Sequence, residues 1–210
     1  DQLRRLPDII VIPVGNAGNI TALWKGLLEL RALGLADTLP RLIGVQAERA
    51  SPIARAFRLG SDHVEPVAKP ETVATAIRIG SPVNWKRALA AARESGGLIE
   101  TVADHQILEA QKMLASREGI FVEPASASTI AGVGKLVDEG VIKADEAVVC
   151  IATGNGLKDQ EAVSFLAKPP VRVKASRESV MGALGLGICS VSGRRVYSRN
   201  FLMRSGMLGS

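Results

Sequence analysis

The chain has 210 residues, 47% of them apolar and only 3% aromatic, with a formal net charge of +5; that length can bury a substantial core and the composition suits an α/β protein. No apolar run reaches membrane-spanning length and the start Asp1-Gln2-Leu3-Arg4-Arg5 lacks the layout of a signal peptide, so the expectation is a cytoplasmic protein without a membrane partner. The positive excess grows in the tail (Arg194, Arg195, Arg199, Arg204) with too few aromatics to interleave as stacking platforms, and Cys150, Cys189, His63 and His105 have no ligand spacing, so neither nucleic acid nor a metal site is expected.

The first element is a β-branched run at residues 9–14, which reads as a strand. It passes through Gly15-Asn16-Ala17-Gly18-Asn19 into an amphipathic segment at 20–33. A strand turning through glycines into a helix aims backbone N–H groups and the positive helix end at one point, which suits a phosphate. The spacing is neither the G-x-G-x-x-G of a dinucleotide fold nor a Walker loop with its lysine. A left-handed turn that any α/β protein can contain is the plain alternative.

In the helix, Leu23, Leu27 and Leu30 recur at helical spacing, while Lys25 and Glu29 form an i,i+4 pair on the other side, so Lys25 reads as a solvated residue and not a catalytic amine. Gly34 closes the helix and residues 42–45 supply the next strand, which makes a right-handed parallel crossover. Helices are expected at 51–59 with Pro52 in the first turn, at 71–79 before Gly80-Ser81-Pro82, and at 85–92. Thr101 and Asp104 read as a capping pair for a helix carrying Ile107, Leu108 and Leu114, with His105 on its solvated face.

Residues 127–137 form a small-residue helix behind Glu123-Pro124-Ala125-Ser126-Ala127-Ser128. Two serines at a helix start most often cap backbone, which is the reading favoured for Ser128 and less so for Ser126. Residues 148–152 then read as a buried parallel strand, with Cys150 an inert core thiol. They run into Thr153-Gly154-Asn155-Gly156-Leu157-Lys158-Asp159. Two glycine-asparagine loops thus follow two apolar strands at their carboxyl ends, where open α/β sheets bind ligands. A shared crevice is expected. Pro169-Pro170 precedes a final segment, and the end, rich in Gly, Ser and Arg, is expected to be poorly ordered.

The motifs Pro13-Val14-Gly15-Asn16-Ala17-Gly18-Asn19-Ile20-Thr21-Ala22, Ala74-Thr75-Ala76-Ile77-Arg78-Ile79-Gly80-Ser81-Pro82, Glu123-Pro124-Ala125-Ser126-Ala127 and Thr153-Gly154-Asn155-Gly156-Leu157-Lys158-Asp159 resemble threonine synthase in kind and order. Threonine dehydratase and cysteine synthase share that fold but carry a more glycine-rich phosphate loop. The resemblance implies an α/β fold with an open, mostly parallel sheet flanked by helices. This would be most of the large cofactor domain of a pyridoxal 5′-phosphate enzyme of the tryptophan-synthase β-subunit type (fold type II). The implied lyase reaction converts O-phospho-L-homoserine and water into L-threonine and phosphate.

By the same resemblance, Gly15, Asn16, Ala17, Gly18 and Asn19 would hold the cofactor phosphate, and Thr153 would hydrogen-bond the pyridine nitrogen. Such a neutral hydroxyl partner would leave that nitrogen less protonated than an aspartate would. Ala76 and Glu123 would border the ring, and Asn16 would also reach the substrate phosphate. The Schiff-base lysine of the family lies in a Ser-Phe-Lys-Asp-like motif of an N-terminal half. Neither Lys25 nor Lys158 matches it, so no catalytic residue is assigned and these 210 residues are expected to be inactive alone. The implied partners are a small phosphorylated amino acid and that N-terminal half, with a homodimer left open. Residues 1–186 read as the C-terminal part of the cofactor domain, and 187–210 as an atypical tail that read-through, a shifted frame or an added tail would each produce. The rival readings are a non-catalytic truncated or split-gene module that binds phosphate or pairs with a separate N-terminal chain, and another lyase of the same fold such as threonine dehydratase.

Overall fold

The computed structural model describes residues 5–159, 171–186, 188–191 and 194–197. The chain divides into two compact units, Asp1–Ala167 and Lys168–Ser210. In the first unit, strands β1 (Ile9–Pro13), β2 (Arg41–Ala47), β3 (Leu98–Val102) and β4 (Val148–Cys150) form one parallel sheet in the order β3-β2-β1-β4. Helices α1 (Gly18–Ala32), α2 (Pro52–Arg58), α3 (Trp85–Glu94), α4 (Asp104–Met113) and α5 (Pro124–Asp138) connect and cover it.

The continuous apolar run of β1 is explained by burial on both faces. Ile10, Ile12 and Val14 pack with Leu42, Ile99 and the apolar sides of α1, α2 and α3. Ile9 and Val11 point the other way, with Ile43 and Val45, into a second core closed by α4 and α5. The small residues of α5 let it approach β2 closely: a β-carbon at Gly132 would lie 2.8 Å from a Val45 methyl.

Three expectations change. Residues 71–79 hold only a single 3-10 turn, Thr75–Ile77. Their polar side chains are used for tertiary bonds instead: Thr72 Oγ1 donates to Asp104 Oδ1 (2.5 Å), the Val73 N–H to Asp104 Oδ2 (3.1 Å), and Thr75 Oγ1 to Asp159 Oδ2 (2.7 Å). Thr101 is not a cap but lies inside β3; the α4 terminus is closed by Gln106, whose Oε1 accepts the Ala103 N–H at 2.9 Å. Finally, β4 is half-buried and not fully buried, because it is an outer strand of the described sheet.

In the second unit, a short helix α6 (Arg177–Ala183) is capped by Ser176, whose Oγ accepts the Ser179 N–H. Strands β5 (Ile188–Val191) and β6 (Arg194–Tyr197) pair antiparallel. These strands fall in the tail expected to be poorly ordered; residues 187, 192–193 and 198–210 lie outside the described residues.

Candidate functional site

Because β1 and β4 are parallel neighbours, the chain leaves both at the same end of the sheet. The two glycine loops therefore meet. A cleft of about 390 Å³ is lined by Gly15, Asn16, Ala17, Gly18, Asn19, Ala76, Glu123 and Thr153, together with Pro13, Ile77, Ala125 and Lys158. All eight residues singled out from the sequence as a ligand site border this one space, whose size suits a small molecule.

The first loop is organised by main chain. Val14 N–H bonds Val45 O at 2.8 Å, carrying the strand pairing to the brink of the turn. Ala17 then adopts the left-handed conformation (φ 64°, ψ 17°), an unusual one for a residue with a β-carbon. Such strain gathers at ligand clamps, although the sequence placed the need for it at a glycine. No side chain caps α1 and its first turn holds no acidic residue, so the leading N–H groups of the helix are left to the cleft. Gly15 allows the loop that carries Ala76 to close over the turn: a β-carbon there would sit 2.8 Å from Ala76 O and 3.2 Å from Ile77 Cα. Asn84 fixes the same turn from outside, its N–H and Nδ2 both reaching Asn16 O.

The second loop is organised by side chains. Ser126 Oγ accepts the N–H groups of Thr153 (2.8 Å) and Gly154 (3.1 Å) and lies 3.1 Å from Thr153 Oγ1. Thr153 Oγ1 donates to Glu123 Oε1 at 2.9 Å, and Lys158 Nζ stands 3.4 Å from Glu123 Oε2. Glu123 is 3% exposed, and its own N–H bonds Gly154 O. Ser126 thus anchors the second loop, whereas Ser128 bonds backbone as expected but is not a cap: the helix begins at Pro124, and Ser128 Oγ donates to Ala125 O inside it. Lys158, Asp159 and Asn84 carry roles that local pattern did not reveal, since each acts on residues distant in sequence.

The remaining candidates fall away from the chemistry. Lys25 pairs with Glu29 on the exposed side of α1, and His105 is exposed on α4. Burial pushes the Cys150 thiol pKa up, with a hydrogen bond to Thr129 only partly offsetting it, so the thiol stays protonated and unreactive at neutral pH. Among the described residues no group of three His, Cys, Asp or Glu side chains could hold a metal, and no helix is long and apolar enough to cross a membrane.

Residues 1–154 match the family model for "pyridoxal-phosphate dependent enzyme". The chain belongs to this family. Among its relatives, threonine synthase of Methanocaldococcus jannaschii is 53% identical over 175 residues, 83% of this chain and 43% of the relative. Threonine synthase of Methanosarcina acetivorans is 54% identical over 185 residues, 88% and 46%. The chain thus spans about half the length of the curated relatives it matches. The crystal structure of threonine synthase from Escherichia coli superposes with a TM-score of 0.59 at 21% identity, covering 82% of this chain and 39% of that one, a likeness of fold. The open parallel sheet is accordingly that of the fold-type II pyridoxal-phosphate enzymes.

The cleft fits the family's cofactor. Its uncapped helix start supplies donors for a phosphate, Gly15 and Gly18 line the wall beside that start, and a hydroxyl backed by a buried carboxylate stands at the far loop.

Proposed function

We propose that this chain forms most of the cofactor domain of a threonine synthase, which converts O-phospho-L-homoserine and water into L-threonine and phosphate. The observation that carries this reading is the convergence of the eight residues on one cleft, in a chain 53% and 54% identical to two named threonine synthases over 175 and 185 aligned residues. Residues 15–19 bind the cofactor phosphate through main-chain N–H groups and the positive end of α1. Ala76 and Glu123 border the ring, Thr153 hydrogen-bonds its nitrogen, and Asn16 reaches toward the substrate phosphate. When bound, pyridoxal phosphate supplies a ring that spreads carbanion charge.

The 210 residues contain no Ser-Phe-Lys-Asp-like motif, and Lys158 is engaged with Glu123. We therefore read the chain as inactive on its own. Purified chain with pyridoxal phosphate and O-phosphohomoserine should release no phosphate. A chimera joining it to the N-terminal part of the Methanosarcina acetivorans relative should release phosphate and form threonine. Robust release by the isolated chain, or an inert chimera that binds cofactor, would overturn the assignment. The same lack of a lysine motif favours a second reading, a non-catalytic module that binds phosphate or pairs with a separate chain; tight phosphate binding with an inert chimera would support it. The asparagines in both glycine loops weigh against another lyase of this fold.

Residues 1–186 belong to the cofactor domain in this reading, and 187–210 are an atypical tail. The reading carries with it a cytoplasmic location and a small phosphorylated amino acid as substrate. Self-association is checked by sedimentation of the purified chain.

A further inference from the structure

The hydroxyl of Thr153 has one proton and two lone pairs to distribute, and its neighbours dictate where most of them go. Both lone pairs of Ser126 Oγ are taken by the Thr153 and Gly154 N–H groups, so the Ser126 proton turns to its remaining partner, Thr153 Oγ1. Thr153 passes its own proton on to Glu123 Oε1 at 2.9 Å. That carboxylate is buried at 3% exposure, with the Lys158 ammonium facing its second oxygen, and Gly154 is closed tightly over it. One lone pair of Thr153 is left, on a residue whose exposed side borders the cleft.

We propose that Glu123 and Ser126 are positioning residues that turn Thr153 into a hydrogen-bond acceptor toward the cleft, so that a pyridine nitrogen bound there is held as the protonated N–H form. The inference rests on the reading of the cleft as the pyridoxal-phosphate site and reverses what a neutral hydroxyl alone would imply. An N–H on the ring, its proton drawn from solvent, meets the free lone pair of Thr153, with the charge of Glu123 relayed through one hydroxyl. A bare nitrogen would meet lone pair against lone pair. To donate to it, Thr153 would have to leave Glu123 Oε1, and a buried carboxylate oxygen would lose the donor that satisfies it. The protonated ring is the stronger electron sink, so two residues that never touch the reacting atoms set its electronic character.

The probe is pyridoxamine 5′-phosphate labelled with ¹⁵N in the ring, which carries the same phosphate and nitrogen and requires no lysine. It is bound to the 210-residue chain at a pH where the free compound's ring nitrogen is mostly unprotonated, and the ¹⁵N shift is read. A pyridinium shift in the complex is expected, and Glu123→Gln, the same shape without the charge, should move it toward that of neutral pyridine while circular dichroism is retained. A neutral-pyridine shift in the unmodified complex, or an unmoved shift in folded Glu123→Gln, overturns the proposal while leaving the cofactor site intact. Failure of the probe to bind at all overturns the cofactor reading and this proposal with it. Should Glu123→Gln not fold, the shift of the unmodified complex decides.

Discussion

At residues 15–19 the cleft is shaped by main chain, with a left-handed Ala17, an uncapped helix start and a glycine pressed against the backbone of residues 76 and 77. At residues 153–156 it is shaped by side chains, through a relay from Ser126 to Thr153 to Glu123. Both loops follow parallel strands and both use glycine and asparagine, yet the physics differs. Main-chain N–H groups have fixed protonation and suit an anion that takes no part in the ring's chemistry. Side-chain hydroxyls and carboxylates can redistribute protons and suit a ring whose charge matters to its chemistry. The same spacing of glycines therefore encodes a rigid cradle in one place and an adjustable contact in the other.

Substitutions that separate cradle from contact test this division. The largest effect is expected from Gly15→Ala, whose β-carbon would lie 2.8 Å from Ala76 O and 3.2 Å from Ile77 Cα, both backbone atoms that cannot swing away as a side-chain end can. Overpacking should cost about 2 kcal/mol in urea unfolding, and inorganic phosphate binding should be lost with it. Gly154→Ala would place a β-carbon 2.5 Å from Glu123 Cδ, a side-chain end that can rotate at the expense of its bond to Thr153. A cost of about 1.5 kcal/mol is expected, with phosphate binding retained; equal losses of phosphate affinity in the two variants would erase the distinction.

Thr153→Val keeps the bulk and removes the hydroxyl. Pyridoxamine phosphate binding should weaken by about 1 kcal/mol while inorganic phosphate, which touches only the cradle, is unaffected by titration calorimetry. The smallest effect, and of opposite sign, belongs to Ala17→Gly. Relief of the left-handed strain is offset by the greater freedom of glycine in the unfolded chain, leaving a gain of about 0.5 kcal/mol in thermal unfolding. A destabilised Ala17→Gly would mean that the strain is not there to relieve.

Much of this was legible because it is local. The runs at 9–14 and 42–45, the leucine spacing before Gly34 and the Pro52 helix start each declare their structure within a few residues, and the two loops could be brought together because parallel strands leave a sheet at one end. The 71–79 segment defeated the same logic: its apolar spacing is helical, but Thr72 and Thr75 spend their hydroxyls on Asp104 and Asp159, partners 32 and 84 residues away. Ser126 was ambiguous for a related reason, since a serine at a helix start looks the same whether it caps its own helix or anchors a distant loop. The left-handed residue was hidden too, because an alanine there violates the local rule that would have located it. Family likeness, in turn, pointed to Thr153 as a partner for a ring, while the direction of its proton is a property of Glu123 and Ser126 that motif order does not contain.

The loop carrying Ala76 has almost no regular structure, yet Asp104 holds it at Thr72 and Val73 and Asp159 at Thr75, while the Val67 N–H and Gly80 O join its two ends at 2.9 Å. In time rather than in space, this makes an irregular wall behave like a strand. The amides of Val73, Ala74 and Ile77, bonded to Asp104 Oδ2, Thr72 Oγ1 and Ala74 O, should exchange with deuterium on the schedule of the sheet and not of the surface. Opening the cleft by this side then requires the loss of several bonds together, and a ligand's residence time would be governed by the other walls.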